Sequence, residues 1–143
     1  MGQVTVRKVV EGPSQITIRV DLLSDGTGEL ENYVILSPED LVPRPVPLNI
    51  PAFRLTQAWY GTVWFDVTVK VGTVIPSPIW TFARDTGPHV DFRSFGGLID
   101  PAVYSNPLPD DDGKLTISTN DFNVAGSIGT LVLELRKTNQ ASG

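Results

Sequence analysis

Gln15-Ile16-Thr17-Ile18-Arg19-Val20-Asp21-Leu22-Leu23 decides the fold class of this chain. Ile16, Ile18, Val20 and Leu22 alternate with Thr17, Arg19 and Asp21. Successive side chains of an extended strand point to opposite faces. Period-two alternation therefore means one buried face and one wet face, as in an antiparallel sheet. Upstream, Val4 to Val10 reads as another strand, and Glu11-Gly12-Pro13-Ser14 as the turn between the two. Downstream, Ser24-Asp25-Gly26-Thr27-Gly28 is a loop, and Asn32 to Leu36 a third strand.

Residues 37–51 are different. Pro38, Pro43, Pro45, Pro47 and Pro51 remove backbone donors at short intervals, which excludes a central strand and a long helix. A proline-rich extended arm or strap is expected there. Phe53 to Tyr60 and Thr62 to Val71 follow as strands separated by Gly61. In the second, Val63, Phe65, Val67, Val69 and Val71 share one face, which leaves Trp64 on the polar side with Asp66, Thr68 and Lys70. Pro76-Ser77-Pro78 is expected to break the chain again. Ile79 to Ala83, Val90 to Phe95, Lys114 to Ser118 and Thr130 to Arg136 complete a set of eight or nine strands. No segment sustains helical spacing of apolar residues. The expected architecture is all-β: a two-sheet antiparallel sandwich with jelly-roll topology favoured.

The bulk numbers fit one domain over residues 1–143, large enough to bury roughly 70% of its unfolded surface. The chain has no Cys, one His and one Met, so disulfides are ruled out and multi-histidine metal sites are not expected. Sixteen acidic residues against 11 basic ones give a formal charge of −5. That field repels phosphates, and the basic residues form no stripe, so nucleic-acid binding is not expected. Charged or proline residues interrupt every apolar run, and neither a secretory signal nor a transmembrane helix is expected.

Few residues suggest chemistry. Asp85-Thr86-Gly87 matches the tripeptide of aspartic proteases, but it follows Ala83-Arg84 rather than an apolar strand, and Pro88 comes next. Asp-Thr-Gly-Pro is ordinary turn chemistry. His89 and Asp91 would share one strand face, yet a general base needs a nucleophile in reach. Asp110-Asp111-Asp112-Gly113, and the looser set Asp21, Asp25 and Glu29, lack the ligand spacing of a calcium loop. The expectation is no enzyme, no cofactor and no resident metal. Trp59, Tyr60, Trp64 and Trp80 form the aromatic group of interest, since aromatic side chains dominate protein interfaces and also stack on sugars.

Val9-Val10-Glu11-Gly12-Pro13, the strand to Val20 and the loop Asp25-Gly26-Thr27-Gly28 together resemble small virion proteins of tailed bacteriophages. The second half resembles them too, through Phe95-Gly96-Gly97-Leu98, Asp100-Pro101, Leu115-Thr116-Ile117-Ser118-Thr119 and Leu131-Val132-Leu133-Glu134-Leu135-Arg136-Lys137. These segments are similar to the capsid cement, or decoration, proteins of short-tailed phages. The resemblance covers roughly the first quarter and last third of the chain, and its motifs are turns and strand edges. It implies a virion structural protein on the capsid exterior, made in the host cytoplasm, with the major capsid protein as partner and self-association as a homodimer or higher. The contacts are expected at Trp64, Trp59 and Tyr60 and along the arm at Arg44, Pro45, Val46 and Pro47. The alternative reading is a carbohydrate-binding or tail-associated β-sandwich module.

Overall fold

The structure, a computed structural model, describes residues 2–37, 53–71, 77–84, 88–95, 97 and 114–137. The described residues contain nine strands: β1 (Gln3–Glu11), β2 (Gln15–Leu23), β3 (Tyr33–Leu36), β4 (Phe53–Thr62), β5 (Asp66–Val71), β6 (Ser77–Phe82), β7 (His89–Asp91), β8 (Leu115–Asn120) and β9 (Ile128–Lys137). One 3-10 turn, Arg93–Phe95, follows β7. There is no α-helix among them.

The strands form a five-stranded sheet in the order β1-β2-β9-β4-β7 and a four-stranded sheet in the order β3-β8-β5-β6. All pairings are antiparallel. β2 pairs with β9, β3 with β8, β4 with β7 and β5 with β6. These four pairs nest one inside the next along the chain and alternate between the sheets, which is the wiring of a jelly roll. β1 adds a further strand outside β2.

The alternation read in β2 is the alternation observed. Ile16, Ile18, Val20 and Leu22 are buried against Leu131, Leu133 and Leu135 of β9, Leu55 and Ala58 of β4, and Val67, Val69, Val71 and Ile117 of the other sheet. Each fully buried Ile or Leu contributes about 1.5–3 kcal/mol relative to exposure. Phe65, Phe82 and Phe122 are the largest fully buried side chains among the described residues. β1 lies at the edge of the larger sheet. Val6 pairs with fully buried Val20 yet remains 36% exposed.

Three boundaries differ from the sequence expectation. Gly61 does not separate two strands: it pairs with Thr130 inside β4, and the chain turns only at Val63–Phe65 to change sheets. Val63 consequently leaves the inward row and is exposed. Pro78 does not break the chain. It lies within β6, where it is opposite Lys70, and β6 is an edge strand whose outer side asks for no backbone donor. Finally, Val90 to Phe95 is a strand only to Asp91, because the chain then tightens into the 3-10 turn.

The inward row of β9 ends on a charge. Lys137 continues the series Leu131, Leu133, Leu135, and its side chain is fully buried. Its Nζ donates to Glu11 Oε2 at 2.7 Å and to the Gly12 carbonyl at 2.8 Å. An ion pair thus links the end of the central strand β9 to the end of the edge strand β1, across β2.

Residues 38–51 of the arm, including Arg44, Pro45, Val46 and Pro47, lie outside the described residues. So do Asp85-Thr86-Gly87 and Asp110-Asp111-Asp112-Gly113.

Candidate functional site

Two surfaces gather side chains that the fold itself does not require. The first is the corner where β4 crosses into β5. The Val63 amide donates to the Ile128 carbonyl at 3.0 Å, and Ile128 is the register partner of Leu23. The Ser127 amide donates to the Val124 carbonyl in the adjoining turn. Leu23, Val63, Trp64, Val124 and Ile128 are all exposed, Trp64 and Ile128 the most at 56% each. One end of the sandwich therefore carries an apolar patch built from three chain segments.

Trp64 has φ of 70°, in the left-handed region that costs an L-residue roughly 1–2 kcal/mol. A single guanidinium holds it there. Arg84 Nη1 donates to the Trp64 carbonyl at 3.3 Å. Its Nη2 reaches Asp66 at 2.9 Å and Asp121 at 2.6 Å, and its backbone amide donates to Asp66 Oδ1 at 2.7 Å. Asp121 is also left-handed, with φ of 65°. Arg84 thus ties two strained turns together. The hydrogen bonds from Arg84 lower the Asp66 carboxyl to about 2, and Asp66 in turn raises the Arg84 guanidinium.

Packing beneath the corner is tight. Phe65 meets Phe122 edge-on at 4.7 Å, and a Cβ on Gly129 would lie 2.6 Å from the Phe65 ring. Thr62 Oγ1 and Ser127 Oγ are buried there without a hydrogen-bond partner.

The second surface is the outer face of the five-stranded sheet. Its registers align Arg19, Val132, Trp59 and His89 in one cross-strand row, and Thr17, Glu134, Gln57 and Asp91 in the next. Trp59 stacks on His89 at 5.0 Å with rings 19° apart, so the imidazole closes one face of the indole. His89 Nε2 is 3.0 Å from Gln57 Oε1, and Gln57 Nε2 donates to Glu134 Oε2. A bulge between Leu55 and Gln57 turns Thr56 toward the same carboxylate, and its hydroxyl donates to Oε2 at 3.2 Å. Asp91 is held by both edges of Arg93, whose hydrogen bonds lower its carboxyl to about 2. Beside this network runs an open groove of about 370 Å³ lined by Ser14, Gln15, Thr56, Arg93, Glu134 and Arg136.

Apart from Trp80, the aromatic residues singled out in the sequence divide between these surfaces and the interior. Trp64 belongs to the corner and Trp59 to the sheet face, where it is 40% exposed. Tyr60 packs against the core and meets Phe82 at 4.7 Å. Trp80 belongs to neither surface nor to the interior: it rests edge-on against Phe92 and stays 38% exposed. His89 and Asp91 do share a strand face, but each serves a different partner. Asp21 pairs with Arg19 and accepts from Thr130, Asp25 accepts from Thr27, and Glu29 accepts from Thr119 and the Phe122 amide. Those three carboxylates do not converge. Among the described residues no group of three His, Asp or Glu side chains is placed to hold a metal ion.

Arg84, Glu134, Gln57 and Lys137 were not legible as functional or structural hubs. Lys137 alone had a signal, its place in the inward row of β9.

No protein-family model and no curated protein matches the chain. It is similar to a solved structure of cobalt(II) HppE in complex with Tris buffer, at 11% identity and a TM-score of 0.34. The likeness covers 95% of this chain and 54% of that one, so the chain spans about half its length. A likeness of that degree carries no functional argument.

Proposed function

We propose that this chain is a non-enzymatic virion structural protein that binds the outside of a phage capsid and reinforces contacts between major capsid protein subunits. The observation that carries this reading is Trp64, more than half exposed on a strained backbone that Arg84 locks in place. Strain of this kind persists where surrounding structure over-determines it, and it concentrates at functional positions. An exposed Trp at the corner that also exposes Leu23, Val63, Val124 and Ile128 has the make-up of an interface hot spot with an apolar surround.

The sequence resemblance to cement proteins supplies the partner. A cement protein acts by burying surface at capsomer junctions in many symmetric copies, so modest contacts sum to high avidity. The acidic net charge suits a basic shell surface, and self-association as a dimer doubles the contacts of each docking event.

Co-sedimentation of the purified protein with capsids lacking it tests the reading. Stoichiometric binding at shell symmetry positions, with raised heat resistance of the shell and loss of both on Trp64→Ala, is the expected result. Binding of a few copies at one vertex would instead place it with the tail, and no binding would overturn the proposal.

A further inference from the structure

The groove on the outer face of the five-stranded sheet is separate from the corner, and its polar groups are arranged for a ligand rather than for the fold. Glu134 spends one carboxylate oxygen, Oε2, on Thr56 and Gln57. Its Oε1 accepts no hydrogen bond from the described residues. Arg136, two residues along the same strand face, has no side-chain partner among them. Neither do the side chains of Ser14 and Gln15, which line the same groove. Arg93 also lines it, but its charge is already matched by Asp91.

We infer that this groove binds a neutral sugar, reading a pair of adjacent hydroxyl groups between Glu134 and Arg136. A free carboxylate oxygen accepts from one hydroxyl while the guanidinium donates to its neighbour, and Ser14 and Gln15 can do either. The charges choose the class. Glu134 is the one carboxylate among the described lining residues, beside Arg136 and Arg93, and Arg93 is offset by Asp91, so these four formal charges cancel and favour neither an anion nor a cation. The volume, about 370 Å³, falls at the small end of small-molecule clefts.

The acceptor is also pre-oriented. Trp59 stacks on His89, His89 meets Gln57, and Gln57 holds Glu134, a chain of contacts crossing β7, β4 and β9. The bulge at Thr56 supplies the second support. Fixing a polar side chain before the ligand arrives removes the ordering cost of binding. His89 is thus a positioning residue for the site.

The test is a titration of the full chain with methyl hexopyranosides of gluco, galacto and manno configuration, and with a methyl hexuronate, followed by amide NMR shifts. At least one neutral hexoside should give saturable shifts centred on Gln15, Thr56, Glu134 and Arg136, with the uronate no tighter. Arg136→Ala and the near-isosteric Glu134→Gln should each weaken binding about tenfold while the remaining spectrum stays that of the folded protein. His89→Ala should weaken it less, with shifts spreading to Gln57. Saturable binding unchanged by Arg136→Ala and Glu134→Gln would overturn the assignment, as would tighter binding of the uronate or no saturable shift with any hexoside. None of these outcomes bears on the corner, whose variants leave the groove untouched.

Discussion

Arg84 and Trp64 are twenty residues apart in sequence and belong to different turns, yet the Arg84 guanidinium donates to the Trp64 carbonyl at 3.3 Å. The same guanidinium is anchored on Asp66 and Asp121. The backbone that carries an exposed indole is thereby held by a charge network acting through the main chain.

That arrangement sets how position 64 tolerates substitution. Glycine has no Cβ penalty in the left-handed region, whereas a β-branched residue has the largest. Trp64→Val should therefore be less stable than Trp64→Gly by about 1–2 kcal/mol, although valine keeps more apolar surface. Urea denaturation of the two variants measures the difference directly, and equal midpoints would show that the strain is not felt.

The network also has an acid limit. The Asp66 carboxyl stands at about 2 in the folded protein against an ordinary 3.8. A depressed carboxyl stabilises fully above its ordinary value, and the contribution disappears as pH falls through the folded one. Stability should drop as pH falls from 3.8 towards about 2, and Asp66→Asn should remove part of that slope while costing stability at neutral pH. Asp25 and Asp91 are lowered to about 2 as well and should account for the slope that remains in the variant. The readout is Tm against pH for both proteins.

Lys137 and Glu11 make an unequal pair of targets. Glu11→Gln removes a counter-charge from a fully buried ammonium and should cost about 3 kcal/mol. Lys137→Met replaces the ammonium with an apolar side chain of similar length in an inward row, and should fall within about 1 kcal/mol of the parent. Thermal denaturation of both variants distinguishes this from a simple loss of one contact, which would make the two costs equal.

Beneath the corner, Thr62 Oγ1 is buried without a partner. Thr62→Val keeps the shape and removes the unsatisfied hydroxyl, so it should stabilise the fold by about 1 kcal/mol. A lower denaturation midpoint would mean that the hydroxyl is hydrogen-bonded in solution.

The sandwich was legible because its signal is repeated. Ile16 to Leu22 and Leu131 to Leu135 alternate without interruption, and period-two alternation over several residues permits few other readings. Boundaries were legible only where turn chemistry was local. Gly61 looks like a break, but pairing with Thr130 keeps it in register. Pro78 looks like another, but the strand holding it is at an edge. Neither fact is visible until the sheet order is known. Both surfaces depend on the same long-range information. Glu134 and Gln57 meet because β9 lies beside β4, and Arg84 reaches Asp121 across 37 residues of sequence. The outward position of Trp64 was readable as alternation, whereas its left-handed backbone carries no residue signature, since Asn or Gly would be the usual choice there.

The strand order has a consequence for how the molecule is made. β9 is the last of the nine described strands in chain order, yet it occupies the middle of the five-stranded sheet, between β2 and β4. A ribosome therefore releases β2 and β4 long before the strand that joins them exists. Until then each presents one unpaired inner edge, and the larger sheet is two separate pieces. Closure requires β9 to insert between two strands that are already waiting, which makes completion of this sheet a late event and exposes those edges to chaperones or to neighbouring chains in the interval.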